Sequence, residues 1–346
     1  MSIQSTDKIT LQFDHKMAAH CESGTIAALL NHKGLPITEP MVFGITGAFF
    51  FAYLDTPEFT FPQFVVRSKP GDMRSRIEKR LGVKLVKKCF SKPEKALTYT
   101  DELLNKHIPH AIQADMFYMD YIPPYMRAHF NGHFITVVGK EGNDYLVSDC
   151  YYPSIVKASS DSMIAGRFAK GSLAPKGFVF YPESITSSSE INWEREIYAG
   201  IKQVIFYMTK IPIPFLGVKG IRTFARQVTK WHSRTRDTEH LSHEIMMIHV
   251  TLEERGTGGA GFRFMYATFL QEASKLLNNP ALSEMSKKMM ENGDKWREIS
   301  LFVARIGKNR DLGANKMIEL QKLIMARADW EEHFFKELGS IIKSSQ

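Results

Sequence analysis

Two periodicities divide this chain. Up to about residue 181, short runs rich in β-branched and aromatic residues alternate with helix-like stretches. Beyond it, apolar positions recur almost entirely at three- and four-residue spacing. In the first part the pattern predicts strands at 64–67, 83–90, 109–115, 133–140, 144–149 and 177–181; HFITVVG and GFVFY have strand composition. Helices are predicted at 23–33, 72–81, 93–106 and 160–169. EGND is a turn signal between two apolar runs, so 133–149 is predicted to be a hairpin. The second part predicts helices over 190–210, 217–232, 238–254, 258–278, 280–305 and 311–343. Pro212, Pro214, Pro280 and the glycine run at 256–261 punctuate them. The serine-rich YPESITSSSEINW (181–193) marks the boundary between a mixed domain over 1–185 and an all-helical one over 190–346.

The first domain carries candidate chemistry. Cys21 opens the helix pattern CESGTIAALLNHKG, His133 opens the strand HFITVVGKE, and Asp149 ends the next strand. A helix N-terminus offers partial positive charge and free N–H groups, which favour a thiolate. An imidazole can take the thiol proton and a carboxylate can fix the imidazole's tautomer, so the three are the parts of an activated cysteine nucleophile. The hairpin imposes a condition. Side chains alternate faces along a strand, so His133 and Asp149 share a face only if the connection is odd in length or a bulge intervenes; Gly142 suits the left-handed position of a three-residue loop. The polar flanks His20 and Glu22 argue against a buried structural thiol at position 21, and Asn131-Gly132 suggests that His133 stands on an exposed rim. Gln12, His15 or His20 could donate to an oxyanion beside the Cys21 N–H, with His15 favoured.

Composition narrows the field. Of 346 residues, 44% are apolar and 24% charged, enough for a packed core. MSIQSTDKITLQF lacks the form of a signal peptide and no apolar run reaches spanning length, so a cytoplasmic protein is expected. Cys21, Cys89 and Cys150 form no disulfide framework. The net charge of +8 is uneven: residues 197–236 hold eight Lys/Arg and no Asp or Glu. Lys219, Arg222, Arg226 and Lys230 fall on one helix face, which is either simply solvated or a dock for an acidic partner. No zinc pattern, helix-turn-helix or RNP motif points to nucleic acid. A membrane contact at IFYMTKIPIPFLGVKG is a lesser alternative, and a homo-oligomer is compatible with the sequence. His129 and His133 are four apart, but Asn131-Gly132 disfavours a helix between them. His240, His243 and Glu244 suit a helix surface, so no metal and no cofactor are expected. GTGGAG (256–261) matches GxGxxG in form, but it follows a helix pattern instead of a strand, and a tight helix–helix junction is the simpler expectation.

With HCESGTIAALLNHKG, ADMFYMDYIPPY, GHFITVVGKEGNDYLVSD and ERGTGGAGFRFMYATFLQEAS in view, the chain resembles the butirosin biosynthesis protein H family over most of its length. The resemblance implies an α+β, papain-like cysteine domain with an antiparallel sheet, related to C39-type peptidases, followed by a helical domain of unassigned function. The family's namesake moves an aminoacyl group from an acyl carrier protein to an aminoglycoside amine. Carried over by position, Cys21 is the nucleophile, His133 the base and Asp149 the orienting residue. The oxyanion glutamine of the C39-type peptidases falls near His15, and this chain lacks it. The expected activity is acyl transfer from a carrier-protein or similar thioester, through Cys21, to a small-molecule amine. An acidic carrier would dock on Lys219, Arg222, Arg226 and Lys230. A cysteine peptidase or amidase, or a non-catalytic binding module, are the alternatives.

Overall fold

The computed structural model describes residues 8–57 and 59–344. Residues 1–7, on which the expectation of no signal peptide partly rests, lie outside them. The chain divides into two compact units. The first takes the chain up to Val42 and Arg74–Ile191; the second takes Phe43–Met73 and everything from Asn192 on. The second crossing, between Ile191 and Asn192, lies within the serine-rich 181–193. The unbroken first domain expected over 1–185 does not match, because 43–73 belongs to the other unit.

The first unit is α+β. Its antiparallel sheet runs β4 (Lys84–Lys88), β9 (Val179–Ser184), β5 (His110–Ala114), β6 (His133–Glu141), β7 (Asp144–Ser148) and β8 (Val156–Ser159). β1 (Lys8–Thr10) pairs with the far end of β6. β6 is central, and its first seven residues are buried. That explains why HFITVVG is apolar without alternation: it has no solvent face. Helix α1 (Cys21–Lys33) packs on this sheet and is itself buried from Cys21 to Ala27. Gly24 lets the chain leading into the helix lie close against it, since a Cβ there would stand 2.4 Å from the Ala18 Cβ. α3 (Asp72–Leu81), α4 (Pro93–Asn105) and α5 (Ser160–Arg167) follow the predicted ranges closely. Leu103, Leu104, Ile112, Ile135, Val137, Val147 and Met163 share one core.

The hairpin meets its condition by the second of the two routes. Glu141 pairs with Asp144, so the loop is the two residues Gly142–Asn143, with Gly142 left-handed at φ +61°. An even loop alone would send His133 and Asp149 to opposite faces. The register, however, shifts between Val137↔Val147 and Gly139↔Leu146. Val138 is therefore an extra residue, a bulge that reverses the parity and brings His133 and Asp149 to one face.

The second unit is helical apart from one hairpin. β2 (Phe49–Leu54) and β3 (Gln63–Arg67) pair with each other, and Phe51 and Phe64 pack on Phe224 of α7 (Gly217–Val228). Around them lie α6 (Trp193–Ile205), α8 (Thr238–His249), α9 (Arg263–Leu277), α10 (Pro280–Lys308) and α11 (Ala314–Ser344). α6 and α8 each end in a π turn, at Phe206–Lys210 and Val250–Glu254. The run 256–261 is the tight junction before α9. Its amides are taken up internally, the Ala260 N–H by the Glu253 carboxylate and the Gly259 N–H by the Thr257 hydroxyl.

Candidate active site

Cys21 is the first residue of α1, and His20 is the N-cap, its imidazole accepting the Ser23 N–H at 3.3 Å. The chain leading into the helix is clamped by Glu39, whose two carboxylate oxygens accept the Ala19 and His20 N–H groups at 2.9 and 2.8 Å. Burial lifts the Glu39 carboxyl above its usual range, against the pull of those bonds. The polar flanks of Cys21 are thus not a mark of exposure. His20 is buried as a cap, and Glu22 is fully buried against Arg74, Nη1 to Oε1 2.7 Å, with that guanidinium over the Phe134 ring. Cys21 itself is 3% exposed, and its thiol donates to the Gly132 carbonyl at 3.7 Å.

His133 is not on an exposed rim; it and Asp149 are both completely buried. Its Nε2–H donates to Asp149 Oδ2 at 2.8 Å. Nδ1 is buried and makes no hydrogen bond among the described residues. Burial depresses the imidazole's basicity, but Asp149 outweighs it, and with Cys21 carries the pKa up to about 10. Burial lifts the Asp149 carboxyl, yet His133, the Tyr151 N–H and the Tyr121 hydroxyl hold it below its ordinary value. Cys21, His133 and Asp149 therefore form one electrostatic cluster.

Two tyrosines complete it, and neither was foreseen. Tyr121 donates its hydroxyl to Asp149 Oδ2 at 2.8 Å. Tyr151 donates its backbone N–H to Asp149 Oδ1 at 3.1 Å and stacks its ring on the His133 imidazole, centroids 5.5 Å apart and 17° from parallel. Both sit outside regular helices and strands, in segments with no periodicity to place them; the aromatic richness of ADMFYMDYIPPY and DCYY was the only signal.

The remaining expectations separate. His15 is committed elsewhere: its Nε2–H donates to the Tyr152 carbonyl at 2.9 Å, which fixes the tautomer, and its Nδ1 accepts the Ser148 hydroxyl at 2.7 Å. It has no N–H left for an oxyanion, so that expectation is corrected, and the Cys21 backbone N–H at the start of α1 is the donor the helix provides. His129 pairs with Asp115 at 2.9 Å and so parts company with His133. Among the described residues no three His, Cys, Asp or Glu side chains gather as a metal site would require. The basic face is smaller than four residues. Arg222 is paired with Asp329 and Glu332 of α11, at 2.7 and 2.6 Å, and Lys230 lies beyond the end of α7. Lys219, Arg226 and Lys230 are exposed.

A family model described as "Butirosin biosynthesis protein H, N-terminal" matches residues 20–150, and one described as "Domain of unknown function (DUF4872)" matches residues 161–338. A solved structure, a putative C39-like peptidase from Bacillus anthracis, aligns with a TM-score of 0.34 at 13% identity, over 52% of this chain and all of its own. No curated protein matches.

Proposed function

Because the chain belongs to the butirosin biosynthesis protein H family, with a papain-like, cysteine-enzyme-type domain ahead of its helical one, we propose that it is an acyltransferase working through a thioester on Cys21. The observation that carries this reading is the His133 imidazole, fixed through Nε2 by Asp149 and left with an unpartnered, buried Nδ1 within the electrostatic reach of Cys21. An imidazolium there offers an N–H that a thiolate formed at Cys21 can accept. The Cys21 thiolate attacks the donor thioester; a C–S bond forms, the donor's C–S bond breaks, and the departing thiol takes the proton from His133. An amine then attacks the acyl-cysteine. Its proton passes to His133, the amide forms, and the Cys21 thiolate is released. The Cys21 N–H at the start of α1 faces the oxygen charge that develops in both steps. A hydrolase would use the same residues with water as acceptor. The burial of Cys21, His133 and Asp149 supports transfer, since a site closed to bulk water protects the acyl-enzyme.

The donor we propose is an acidic acyl carrier protein, received by Lys219, Arg226 and Lys230, and the acceptor a small amine. The test is an intact-mass measurement after incubation with a small acyl thioester such as an acyl-pantetheine. Wild type should gain one acyl group and Cys21→Ala none, and a primary amine should discharge the adduct as amide faster than water does as acid. Discharge only as free acid would replace transferase with hydrolase. No adduct at all would remove covalent catalysis.

A further inference from the structure

Three aromatic side chains just ahead of His133 stand in solvent together: Phe117, Tyr118 and Phe130, the last of them 43% exposed. Single exposed apolar residues are ordinary, whereas a contiguous group marks a binding surface. This group is contiguous and held still. The Phe117 ring stacks on His129 with centroids 4.0 Å apart, and Tyr118 meets both rings edge-on. Beneath them the buried Asp115 spends both carboxylate oxygens on the same segment. Its Oδ1 accepts the Phe117 N–H at 3.0 Å and the Phe130 N–H at 2.9 Å, and its Oδ2 accepts His129 Nδ1–H at 2.9 Å. The Phe130 carbonyl in turn accepts the Met116 N–H. Rings fixed in this way give up little further freedom when a ligand settles on them.

Phe130 joins this platform to the nucleophile. A Cβ on the buried Gly132 would stand 2.7 Å from the tip of the Phe130 ring, so the ring lies directly against that glycine. The Gly132 carbonyl accepts the Cys21 thiol at 3.7 Å. One glycine therefore separates an exposed ring from the sulfur. We propose that the platform is the subsite for an apolar acyl chain on the donor thioester, with Phe130 the wall nearest the thiol. This rests on Cys21 as nucleophile and narrows the donor to aliphatic or aromatic acyl groups. The acyl chain is assigned here, and not the amine acceptor, because the surface offered is ring faces. The carboxylate under them is closed to solvent and already takes three donors, so an apolar chain gains what a cation would not.

Chain-length selectivity at Cys21 tests the subsite with and without acyl chemistry. In the first arm N-hexylmaleimide and N-ethylmaleimide are compared near neutral pH, and each cysteine peptide is followed by mass. Cys21 should prefer the hexyl reagent by about tenfold relative to the exposed Cys89, because four added methylenes are each partly covered by the rings. In the second arm hexanoyl-pantetheine should form acyl-enzyme about tenfold more efficiently than acetyl-pantetheine, chiefly through KM. Phe130→Ala should bring both preferences within about twofold of none, and Phe130→Leu, which keeps an apolar wall, should retain most of them. A wild type without chain-length preference at Cys21 would overturn the subsite, and this comparison decides alone if Phe130→Ala fails to fold. So would a folded Phe130→Ala protein whose preference is intact, or a Cys21 that takes neither maleimide. The maleimide preference in a wild type that forms no acyl-enzyme would leave the subsite standing and remove the acyl-transfer reading.

Discussion

His133–Asp149 in the first unit and Arg263–Glu331 in the second are both fully desolvated ion pairs, and they differ in what they can do. In the helical unit Arg263 Nε meets Glu331 Oε1 at 2.6 Å. The same oxygen accepts Trp296 Nε1–H at 2.8 Å and Asn292 Nδ2–H at 3.0 Å, and the guanidinium lies 4.1 Å from the Trp296 ring centre. In the first unit Asp149 likewise takes three donors, from His133, Tyr121 and the Tyr151 backbone. A carboxylate holding three donors is a fixed scaffold in both. The partners differ. A guanidinium keeps its proton at any pH a protein survives, so Arg263–Glu331 is architecture. An imidazole can surrender its proton, and His133 keeps one ring nitrogen uncommitted beside a thiol. Unpartnered atoms do not separate the two, since Arg263 Nη2 and Glu331 Oε2 are also buried without a hydrogen bond; a proton that can be surrendered beside a thiol does.

The largest expected effect comes from disturbing the first pair. Asp149→Asn should cut turnover by roughly 10²–10⁴ while the fold persists, because the imidazole loses its orientation and tautomer. Turnover near that of wild type would remove Asp149 from the mechanism. The same variant should change how stability depends on pH. His133 is raised to about 10 when folded, so its contribution is complete below its unfolded value of about 6.5 and fades as pH rises towards 10. Asp149 is depressed, so its contribution is present above about 3.9 and is lost on acidification. Denaturant titrations should show wild type gaining most over the variant between about pH 4 and 6.5. A gain that instead grew towards pH 10 would contradict the pairing.

Disturbing the second pair should act on stability alone. Glu331→Ala strands a buried guanidinium and should cost about 3–5 kcal/mol in denaturant unfolding. A cost below about 1 kcal/mol would mean that the pair is not closed from water as its 1% and 0% exposure indicate.

What the sequence made legible follows the same division. Cys21, His133 and Asp149 stand at the ends of regular elements, and each element has a local period that announces it. Whether His133 and Asp149 face one another was legible only as a condition, since the bulge at Val138 arises from pairing and not from composition. Tyr121 and Glu39 reach the site from positions that only tertiary packing brings near it, and Tyr151, though two residues from Asp149, lies in a segment without a period. FFFAYL declares itself buried but cannot say in which core, so 43–73 was assigned to the wrong unit. The polarity of His20 and Glu22 does not signal exposure, because His20 caps its own helix at Ser23 and Glu22 meets Arg74, 52 residues away. Arg263 and Glu331 lie 68 residues apart, so nothing in sequence pairs them.

The smallest effect concerns charges at the surface, where the contrast between a committed and an uncommitted cation reappears. Residues 197–236 contain no acid, but Arg222 is answered by Asp329 and Glu332 from more than a hundred residues away. Reversing it, Arg222→Glu, breaks contacts within the helical unit. For partly exposed pairs that should cost about 1 kcal/mol of stability or less, without affecting a carrier beyond the change of two in charge. Lys219 and Arg226 are exposed, and among the described residues the Arg226 guanidinium donates to the Thr223 hydroxyl alone. If an acidic carrier docks there, Lys219→Glu with Arg226→Glu should slow carrier-dependent acylation about tenfold at low salt, while a small uncharged thioester reacts as before. Salt should weaken wild type in parallel, because exposed charges are screened over about 8–10 Å. Stopped-flow acylation with carrier and with surrogate, at two ionic strengths, separates the cases. Equal slowing with both donors would trace the effect to folding. Unchanged carrier kinetics at low salt would show that these cations are as uninvolved in docking as Arg222, the one already neutralised by its own chain.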